Sequence, residues 1–295
     1  LIIHHFPDER ATTLPPWLYK IKLWGYKKVI KHAVINARTI ITPSEFTKND
    51  ILKFYTVDEN KIKVIYEGIS NLNSILKIKN YKLNKNLKLE HASSAVRRGG
   101  GIKNYLLYVG SAYPHKNLEK LIDAFAILHQ KYKLTDLKLV LVGKIDYFYN
   151  KLQKFIIPQY PPPIRRAGNI PISNIIFYDY ASDSELSQLY QNAKIFVFPS
   201  LYEGFGLPPL EAMSFGTPVA ASNLTSIPEV CGNAATYFDP NDANDMAAKI
   251  HKLYFDSALQ SELRQNGFEQ IKKYSWTKMA QETLRIYKLS LLARN

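Results

Sequence analysis

Apolar and polar residues alternate in blocks along most of this 295-residue chain. Continuous apolar runs of strand length, as at 105–109 and 137–142, are typical of strands buried on both faces of a sheet. Stretches with helical spacing follow them, as at 118–132. Strands that alternate with helices predict an α/β fold with a doubly wound parallel sheet. Further strands are predicted at 175–178, 194–199, 217–222 and 235–238, and further helices at 186–192, 242–255 and 276–292.

A smaller group of elements is predicted before residue 70. Its members are a strand at 1–5, a helix at 17–37, a strand at 39–42, a helix at 45–55 and a strand at 61–66. Ser44 directly precedes the second helix and is its expected N-cap. Residues 71–103 have no clear period and include Arg97-Arg-Gly-Gly-Gly, so they are expected to form a basic linker with an insertion.

One stretch concentrates the features of a binding site. A loop with Glu203, Gly204 and Gly206 follows the predicted strand at 194–199, and a short helix follows the loop. Pro208 and Pro209 suit the first turn of that helix, where N–H groups have no partner within the helix. The sequence therefore places Glu203 at the carboxyl end of a strand and Glu211 within the next helix.

This arrangement predicts an anion site between two carboxylates. The amides of Phe205, Gly206 and Leu207 lie at the expected helix N-terminus, where backbone N–H groups bind anions. Glu203 and Glu211 stand on either side as acceptors for hydroxyl groups. A nucleotide sugar has the matching chemistry, because its diphosphate lies between two groups rich in hydroxyls.

A second loop adds a positive charge. Gly110 ends the strand at 105–109 and lets a phosphate approach the backbone. Ser111 follows it, and Lys116 stands six residues after Gly110 as a point charge for a diphosphate. Ligands of doubly wound sheets bind at the carboxyl ends of the strands. Those ends fall here at Gly110, Gly143, Asp179 and Ser200.

Several segments together carry a family resemblance. They are Glu203-Gly-Phe-Gly-Leu…Glu211-Ala, Tyr108-Val-Gly-Ser…His115-Lys-Asn, Ile176-Phe-Tyr, Leu189-Tyr…Ala193, Ser226-Ile-Pro-Glu-Val and Tyr274-Ser-Trp. In this order and spacing the chain resembles the family-4 retaining glycosyltransferases over nearly its whole length. That family has the GT-B fold, in which two Rossmann-like domains face a cleft. The pair Glu203 and Glu211 matches its E-x7-E motif.

The resemblance implies roles for individual residues. Glu211 would bind the ribose, Glu203 the transferred hexose, and Lys116 the leaving diphosphate. His4 would face the donor sugar, although His5 stands where relatives have Asp. The catalytic candidates are thus His4, Lys116 and Glu203, and the donor-binding candidates are Gly110, Ser111, Lys116, Tyr180, Glu203, Gly204, Phe205, Gly206, Leu207 and Glu211. Ser111 and His115 replace arginines that are frequent in relatives, so the diphosphate pocket is expected to be less charged.

The resemblance also implies an activity and a domain order. The expected enzyme is a mannosyltransferase-like retaining hexosyltransferase that needs neither metal nor cofactor and uses a glycan or lipid-linked acceptor for surface polysaccharide. No Asp-x-Asp sequence occurs in the chain. The predicted parts are a partial acceptor-side domain at 1–76, a linker at 77–103, a donor domain at 104–273 and a returning helix at 274–295. The first domain is expected to lack its start, because 1–5 match a late strand of that domain.

Charge and composition limit the remaining functions. Lys and Arg exceed Asp and Glu by 39 to 25, a net charge of +14, which favours an anionic partner. The helix at 17–37 combines Trp, Tyr and Lys, which is typical of helices on anionic membranes and also of an ordinary helix with a solvated lysine face. The expected location is the cytoplasm, at the inner face of the plasma membrane if the helix binds lipid. A single cysteine and no apolar run of membrane-spanning length fit that location.

Two other functions stay open from the sequence. One is a nucleotide-sugar epimerase of the same fold, which would need acid and base residues at the sugar carbon. The other is a basic module that binds nucleic acid or membrane without catalysis. Nucleic acid is not the expected partner, because the basic segment at 71–103 lacks the interleaved aromatic residues that stack on bases.

Overall fold

The computed structural model describes residues 14–69, 102–156 and 172–292 of the chain. Eight strands lie in these ranges: β1 (Ile40–Thr42), β2 (Ile62–Val64), β3 (Tyr105–Val109), β4 (Lys138–Val142), β5 (Ile175–Tyr178), β6 (Ile195–Phe198), β7 (Val219–Ser222) and β8 (Ala235–Phe238). Strands β1 and β2 pair in a small parallel sheet, and the other six form a parallel sheet in the order β5-β4-β3-β6-β7-β8. The predicted α/β class with parallel sheets is confirmed.

Helices connect the strands and cover the sheets. They are α1 (Pro16–Asn36), α2 (Glu45–Phe54), α3 (Leu118–Gln130), α4 (Tyr147–Ile156), α5 (Asp183–Asn192), α6 (Leu207–Ser214), α7 (Ile227–Cys231), α8 (Ala243–Phe255), α9 (Ser257–Ile271) and α10 (Trp276–Leu292). Among the described residues, no helix is both long and apolar enough to span a bilayer.

The strand order of the large sheet creates a cleft at one place. From β3 the chain moves outward to β4 and β5, then returns to β6 beside β3 and continues outward to β7 and β8. The loops that leave β3 and β6 therefore turn away from each other at their carboxyl ends, which opens a crevice where doubly wound sheets bind ligands.

The large sheet has a deep apolar core. All four residues of β6 are buried, and Leu106 and Leu107 of β3 pair with Ile195 and Phe196. Helices α3 and α8 pack against each other beside the sheet. Phe125 of α3 and Ile250 of α8 are completely buried. Cys231, at the end of α7, is free and fully buried in this core.

The small sheet has a much smaller core. Its cluster of buried residues contains Val34 from α1, Ile40 from β1, Ile51 from α2 and Ile62 from β2. Ser44 caps α2 as predicted, since its side chain accepts a hydrogen bond from Thr47 N at 3.1 Å.

Most of the apolar surface of α1 is not buried. The periodic apolar positions of the sequence include Ile21, Trp24 and Val29, yet these side chains are 58%, 66% and 66% exposed. Val34 is buried instead, with Ile30 packed against the same cluster. The helix is apolar over a wide arc, so periodicity alone could not identify the side that packs on β1 and β2.

Some predicted elements lie outside the described residues, and one long observed helix was not predicted. The strand at 1–5, with His4, and most of the linker at 77–103 lie outside the described residues. Helix α9 was not predicted, because its apolar residues do not gather on one side and only Leu263, Gly267 and Gln270 are buried.

Candidate active site

Two loops meet at the crevice between β3 and β6. One contains residues 110–117 after β3 and the other residues 199–206 after β6. Leu201 N donates to His115 O at 2.8 Å, and the side-chain amide of Asn117 donates to Pro199 O at 3.2 Å. Asn117 also donates to Pro240 O at 2.7 Å, so one side chain joins three strand-end segments.

An ion pair joins the two loops at this crevice. Lys116 Nζ lies 2.6 Å from Glu203 Oε1, and the two side chains are only 18% and 13% exposed. The ammonium group also lies 6.0 Å from the centre of the Phe198 ring. A short 3-10 turn over Pro114–Lys116 places the lysine, with Lys116 N donating to Tyr113 O at 2.8 Å. The sequence predicted both residues as site members, and the structure brings them into contact.

The backbone after β3 is shaped by close packing. Gly110 has φ of +151°, and a Cβ atom placed on Gly143 would lie 2.0 Å from Gly110 O. The Tyr149 hydroxyl donates to Gly110 O at 2.9 Å, and the Tyr108 hydroxyl donates to Ser111 O at 2.7 Å. These two tyrosines were not predicted as site residues, because each lies within an apolar segment that indicates only core packing.

Glu211 lies in the fifth position of α6, as the two-carboxylate pattern predicts. Its Oε2 accepts a hydrogen bond from the Tyr190 hydroxyl at 2.8 Å. Burial raises the pKa of the Glu211 carboxyl, and the Tyr190 hydrogen bond partly offsets that effect. Tyr190 is fully buried, and burial holds its phenol pKa well above the ordinary value. Tyr190 therefore remains a donor, and no hydrogen bond to the other Glu211 oxygen occurs among the described residues.

Hydroxyl groups hold the backbone of the turn that contains Glu203. Ser226 Oγ lies 3.0 Å from both Glu203 O and Phe205 O, and Thr225 Oγ1 accepts from Glu203 N at 3.2 Å. Gly206 then takes φ of +99°, in the left-handed region that favours glycine, and α6 begins at the next residue. Ser226 appeared in the sequence only within a family segment, with no indication of this contact.

Helix α2 of the small sheet also reaches this turn. Ser44 Oγ donates to Gly204 O at 2.6 Å, and Thr47 Oγ1 lies 3.2 Å from the same oxygen. The Glu229 carboxylate accepts hydrogen bonds from Glu45 N at 2.8 Å and from Phe46 N at 3.0 Å. A carboxylate from the large sheet region thus caps a helix of the small one.

One predicted site residue stands apart from this cluster, and another lies outside the described residues. Tyr180 is 72% exposed in the loop after β5, and among the described residues no hydrogen bond or ring contact joins it to Lys116, Glu203 or Glu211. His4 lies outside the described residues.

The six-stranded parallel sheet with helices between its strands makes this a doubly wound α/β protein. The family described as Glycosyl transferases group 1 matches residues 95–270, and Glycosyltransferase Family 4 matches residues 1–71. The chain therefore belongs to the glycosyl transferases group 1, and its fold is of the GT-B type.

Curated relatives and solved structures agree with this assignment. O-antigen chain mannosyltransferase B of Escherichia coli is 29% identical over 291 residues, covering 96% of this chain and 69% of that protein. O-antigen chain mannosyltransferase RfbU of Salmonella typhimurium is 28% identical, covering 77% of this chain and 54% of RfbU. The structure of Anabaena HepE in complex with UDP and glucose has a TM-score of 0.65 at 17% identity, covering 88% of this chain and 66% of HepE.

Proposed function

We propose that this protein transfers a hexose, with mannose as the first candidate, from a nucleoside-diphosphate sugar to a glycan or lipid-linked acceptor of surface polysaccharide. The Lys116–Glu203 ion pair at the crevice between β3 and β6 is the observation that carries this proposal. Two relatives named as O-antigen mannosyltransferases support the sugar and the acceptor class. The HepE complex with UDP and glucose supports a nucleotide sugar as donor.

Lys116 supplies the charge that a diphosphate needs beside a carboxylate. A lone Glu203 would repel the anionic donor, whereas the ammonium group cancels the carboxylate charge. Lysine carries three N–H donors, so Nζ keeps its bond to Glu203 while it donates to a phosphate oxygen. In the transfer step the same charge stabilises the leaving diphosphate.

Glu211 and Glu203 divide the donor between them. Glu211 has one oxygen occupied by Tyr190, and its other oxygen accepts a ribose hydroxyl. Glu203, on the sugar side of the anion-binding turn, accepts a hydroxyl of the hexose. Transfer proceeds with retention at the anomeric carbon, and the acceptor proton passes to the leaving diphosphate. The reaction needs no metal, because Lys116 and the N-terminus of α6 carry the charge compensation.

Binding of UDP, GDP and ADP and of their sugars tests this function. Titration calorimetry should show that Lys116→Ala weakens binding of the preferred nucleoside diphosphate by about 10- to 150-fold, the value of a charged hydrogen bond. Binding of the nucleoside itself should change little. Transfer of radiolabelled hexose to glycan acceptors that are extracted with the lipid fraction then identifies the donor sugar. EDTA should leave the rate of this transfer unchanged.

Lys131→Ala is the matched control, because Lys131 follows the far end of α3 and contacts Tyr132 instead of the crevice. Equal losses for nucleoside and diphosphate in the Lys116 variant would make that lysine structural. No binding of any of the six ligands by the unaltered chain would contradict the function.

The exposed face of α1 supports an anionic membrane surface as the place of the reaction. Trp17, Ile21 and Trp24 share one side of the helix at i, i+4 and i+7 spacing, and they are 65%, 58% and 66% exposed. Lys20, Lys27 and Lys31 flank that side, and Lys28 lies within it, 5.7 Å from the Trp24 ring. Aromatic side chains beside lysines suit the headgroup region of anionic lipids.

Vesicle co-sedimentation tests the membrane proposal. The unaltered chain should bind vesicles that contain about 30% phosphatidylglycerol and should be released from them at high salt. Trp17→Ala with Trp24→Ala should reduce binding about tenfold or more, given the apolar area removed. Phe255→Ala removes an equally exposed ring from α8 and should bind normally. Equal binding to neutral vesicles would contradict an electrostatic contribution.

A further inference from the structure

We infer that Ser44 and Thr47 of α2 are positioning residues for the donor site, which they orient through the carbonyl group of Gly204. This inference rests on the proposed function, since it assigns the two hydroxyls a part in holding the nucleotide sugar. Neither residue belongs to the large sheet region that contains Lys116, Glu203 and Glu211. Donor binding is therefore coupled to the seating of the small sheet region on the Glu203 turn.

The planar peptide bond between Gly204 and Phe205 fixes the direction of the Phe205 N–H. In a trans peptide the C=O and the following N–H point in opposite directions. Gly204 O points toward α2, where Ser44 Oγ lies at 2.6 Å and Thr47 Oγ1 at 3.2 Å. The Phe205 N–H must therefore point away from α2. That direction leaves the N–H free of the small sheet region and available to the donor at the start of α6.

The hydrogen bonds around the Gly204 carbonyl show that it is fully engaged. Each hydroxyl has one hydrogen and accepts as well. Ser44 Oγ accepts from Thr47 N at 3.1 Å, so its single hydrogen is available for Gly204 O at 2.6 Å. Ser44 Oγ also lies 3.0 Å from Thr47 Oγ1, and the Thr47 hydroxyl donates to Gly204 O at 3.2 Å. Both hydroxyls are buried, with Ser44 at 0% and Thr47 at 2% exposure, so water does not replace them easily.

The neighbouring carbonyls are held from the opposite side. Ser226 Oγ binds Glu203 O and Phe205 O, and Ser226 is also completely buried. Three consecutive carbonyl groups thus contact hydroxyls: the outer two share the one hydrogen of Ser226, and the central one is bound from α2. Loss of the central contact frees the Gly204–Phe205 peptide to rotate while the outer two still hold the loop in place.

Glu229 fixes α2 at the distance that this contact requires. Its carboxylate accepts from Glu45 N and Phe46 N, the first two amides of α2. The amide of Thr47 is satisfied by Ser44, so the first three N–H groups of the helix all have acceptors. Tyr66 lies nearby, with its ring centre 5.8 Å from that of Tyr274 and 6.2 Å from that of Phe205. Aromatic rings therefore pack beside the contact between α2 and the Glu203 turn.

Substitution of the two hydroxyls tests the inference. Thr47→Val keeps the shape and Ser44→Ala removes the hydroxyl, and both should be titrated with the tightest-binding of UDP, GDP and ADP, with its hexose conjugate, and with the matching nucleoside monophosphate. We expect about a 3- to 10-fold loss of affinity for the diphosphate and the nucleotide sugar in each variant. The nucleoside monophosphate should bind as tightly as to the unaltered chain. Amide exchange at Phe205 should accelerate in both ligand-free variants.

A cap variant elsewhere separates positioning from stability. Asp256 caps α9 by accepting from Leu259 N at 2.9 Å, and it makes no hydrogen bond to the Glu203 turn. Asp256→Ala should lower the melting temperature as Ser44→Ala does, yet leave all three affinities unchanged.

The outcomes distinguish this inference from the proposed function. Nucleotide binding by the unaltered chain with unchanged affinities in both hydroxyl variants would overturn the inference and leave the function standing. An equal loss of affinity for the monophosphate and the diphosphate would also overturn the inference alone. Failure of the unaltered chain to bind any of the nucleotides would overturn both together.

Discussion

The two parallel sheets of this protein differ sharply in how they are stabilised. The six-stranded sheet buries whole strands, such as β6, and adds fully buried rings from Tyr105, Tyr108 and Phe196. The two-stranded sheet has four buried aliphatic residues at its centre. Burial of a large aliphatic side chain contributes about 1.5–3 kcal/mol, so the larger sheet has a far larger apolar contribution to folding.

The smaller region compensates with polar contacts to its neighbour. Ser44 and Thr47 bind Gly204 O, Glu229 caps α2, and the Tyr202 hydroxyl donates to the Asp50 carboxylate. Such contacts depend on direction and distance, whereas apolar burial depends mainly on area. The apolar contribution to stability therefore lies mainly in the large region, whereas the contacts of the small region with the Glu203 turn depend on direction.

Substitution of three isoleucines compares the two cores and has the largest expected effect. Ile195→Ala in β6 should lower the free energy of unfolding of the large region by about 2–5 kcal/mol. Ile51→Ala in α2 should abolish amide protection over 40–64 while β3 and β6 keep theirs. Exposed Ile21→Ala should change the unfolding free energy by less than about 0.5 kcal/mol. Hydrogen exchange with urea denaturation measures all three, and simultaneous loss of both regions in the Ile51 variant would contradict independent cores.

Substitution of two glycines has the next largest expected effect on stability. Gly143→Ala should destabilise the large region by about 1–3 kcal/mol, because its Cβ would overlap the carbonyl of Gly110. Gly25→Ala in α1 has nothing within 4 Å of the new Cβ and should stabilise the helix by about 0.5–1 kcal/mol. Thermal unfolding of both variants checks the opposite signs. Two changes of the same sign would mean that the close approach at Gly110 is not restrictive.

A pair of tyrosines tests whether the deep core also serves the site. Tyr190→Phe removes the hydroxyl that holds Glu211 and should weaken nucleotide binding about 2- to 10-fold. Tyr105→Phe removes a buried hydroxyl that donates to Leu189 O at 2.7 Å, and it should affect stability alone. Calorimetric titration with a nucleoside diphosphate distinguishes them. Equal affinities in the two variants would assign Tyr190 to packing only.

The smallest expected effect is a pH dependence at Glu211. Burial raises its pKa in the folded chain, so the folded state holds this proton more tightly than the unfolded state does. Stability relative to Glu211→Gln should be highest below the ordinary carboxyl pKa and should fall as the pH rises through the raised value. Urea unfolding from about pH 4 upward, in steps of about half a unit, measures the difference. A difference that grows with pH would give the opposite sign and contradict the burial effect.

The sequence predicted most strands and helices of both regions and missed α7 and α9, which lie in the large region. The apolar runs at 105–109 and 137–142 match β3 and, within one residue, β4, because strands buried on both faces are apolar at nearly every position. The predicted N-cap of α2 at Ser44 is present, since that motif is purely local. The expected loop positions of Glu203 and Lys116 followed from the same strand pattern.

Contacts between distant segments could not be predicted in this way. The hydroxyl of Tyr190 reaches a carboxylate 21 residues away, and Ser44 reaches a carbonyl 160 residues away. A tyrosine within an apolar stretch indicates burial, and a serine before a helix indicates a cap, whatever else each side chain binds. Their second roles arise only when the fold brings the partners together.

The reactivity of Cys231 reports how often the large region opens. It is the chain's single cysteine, it is completely buried, and burial raises the pKa of its thiol to about 12. Only the thiolate reacts with alkylating reagents, so labelling has to wait until the protein around α7 opens. The labelling rate of the intact protein therefore reports the opening of one site in the helix that follows Ser226, without any engineered probe. A nucleotide that tightens the Glu203 turn should slow that rate in proportion to its occupancy.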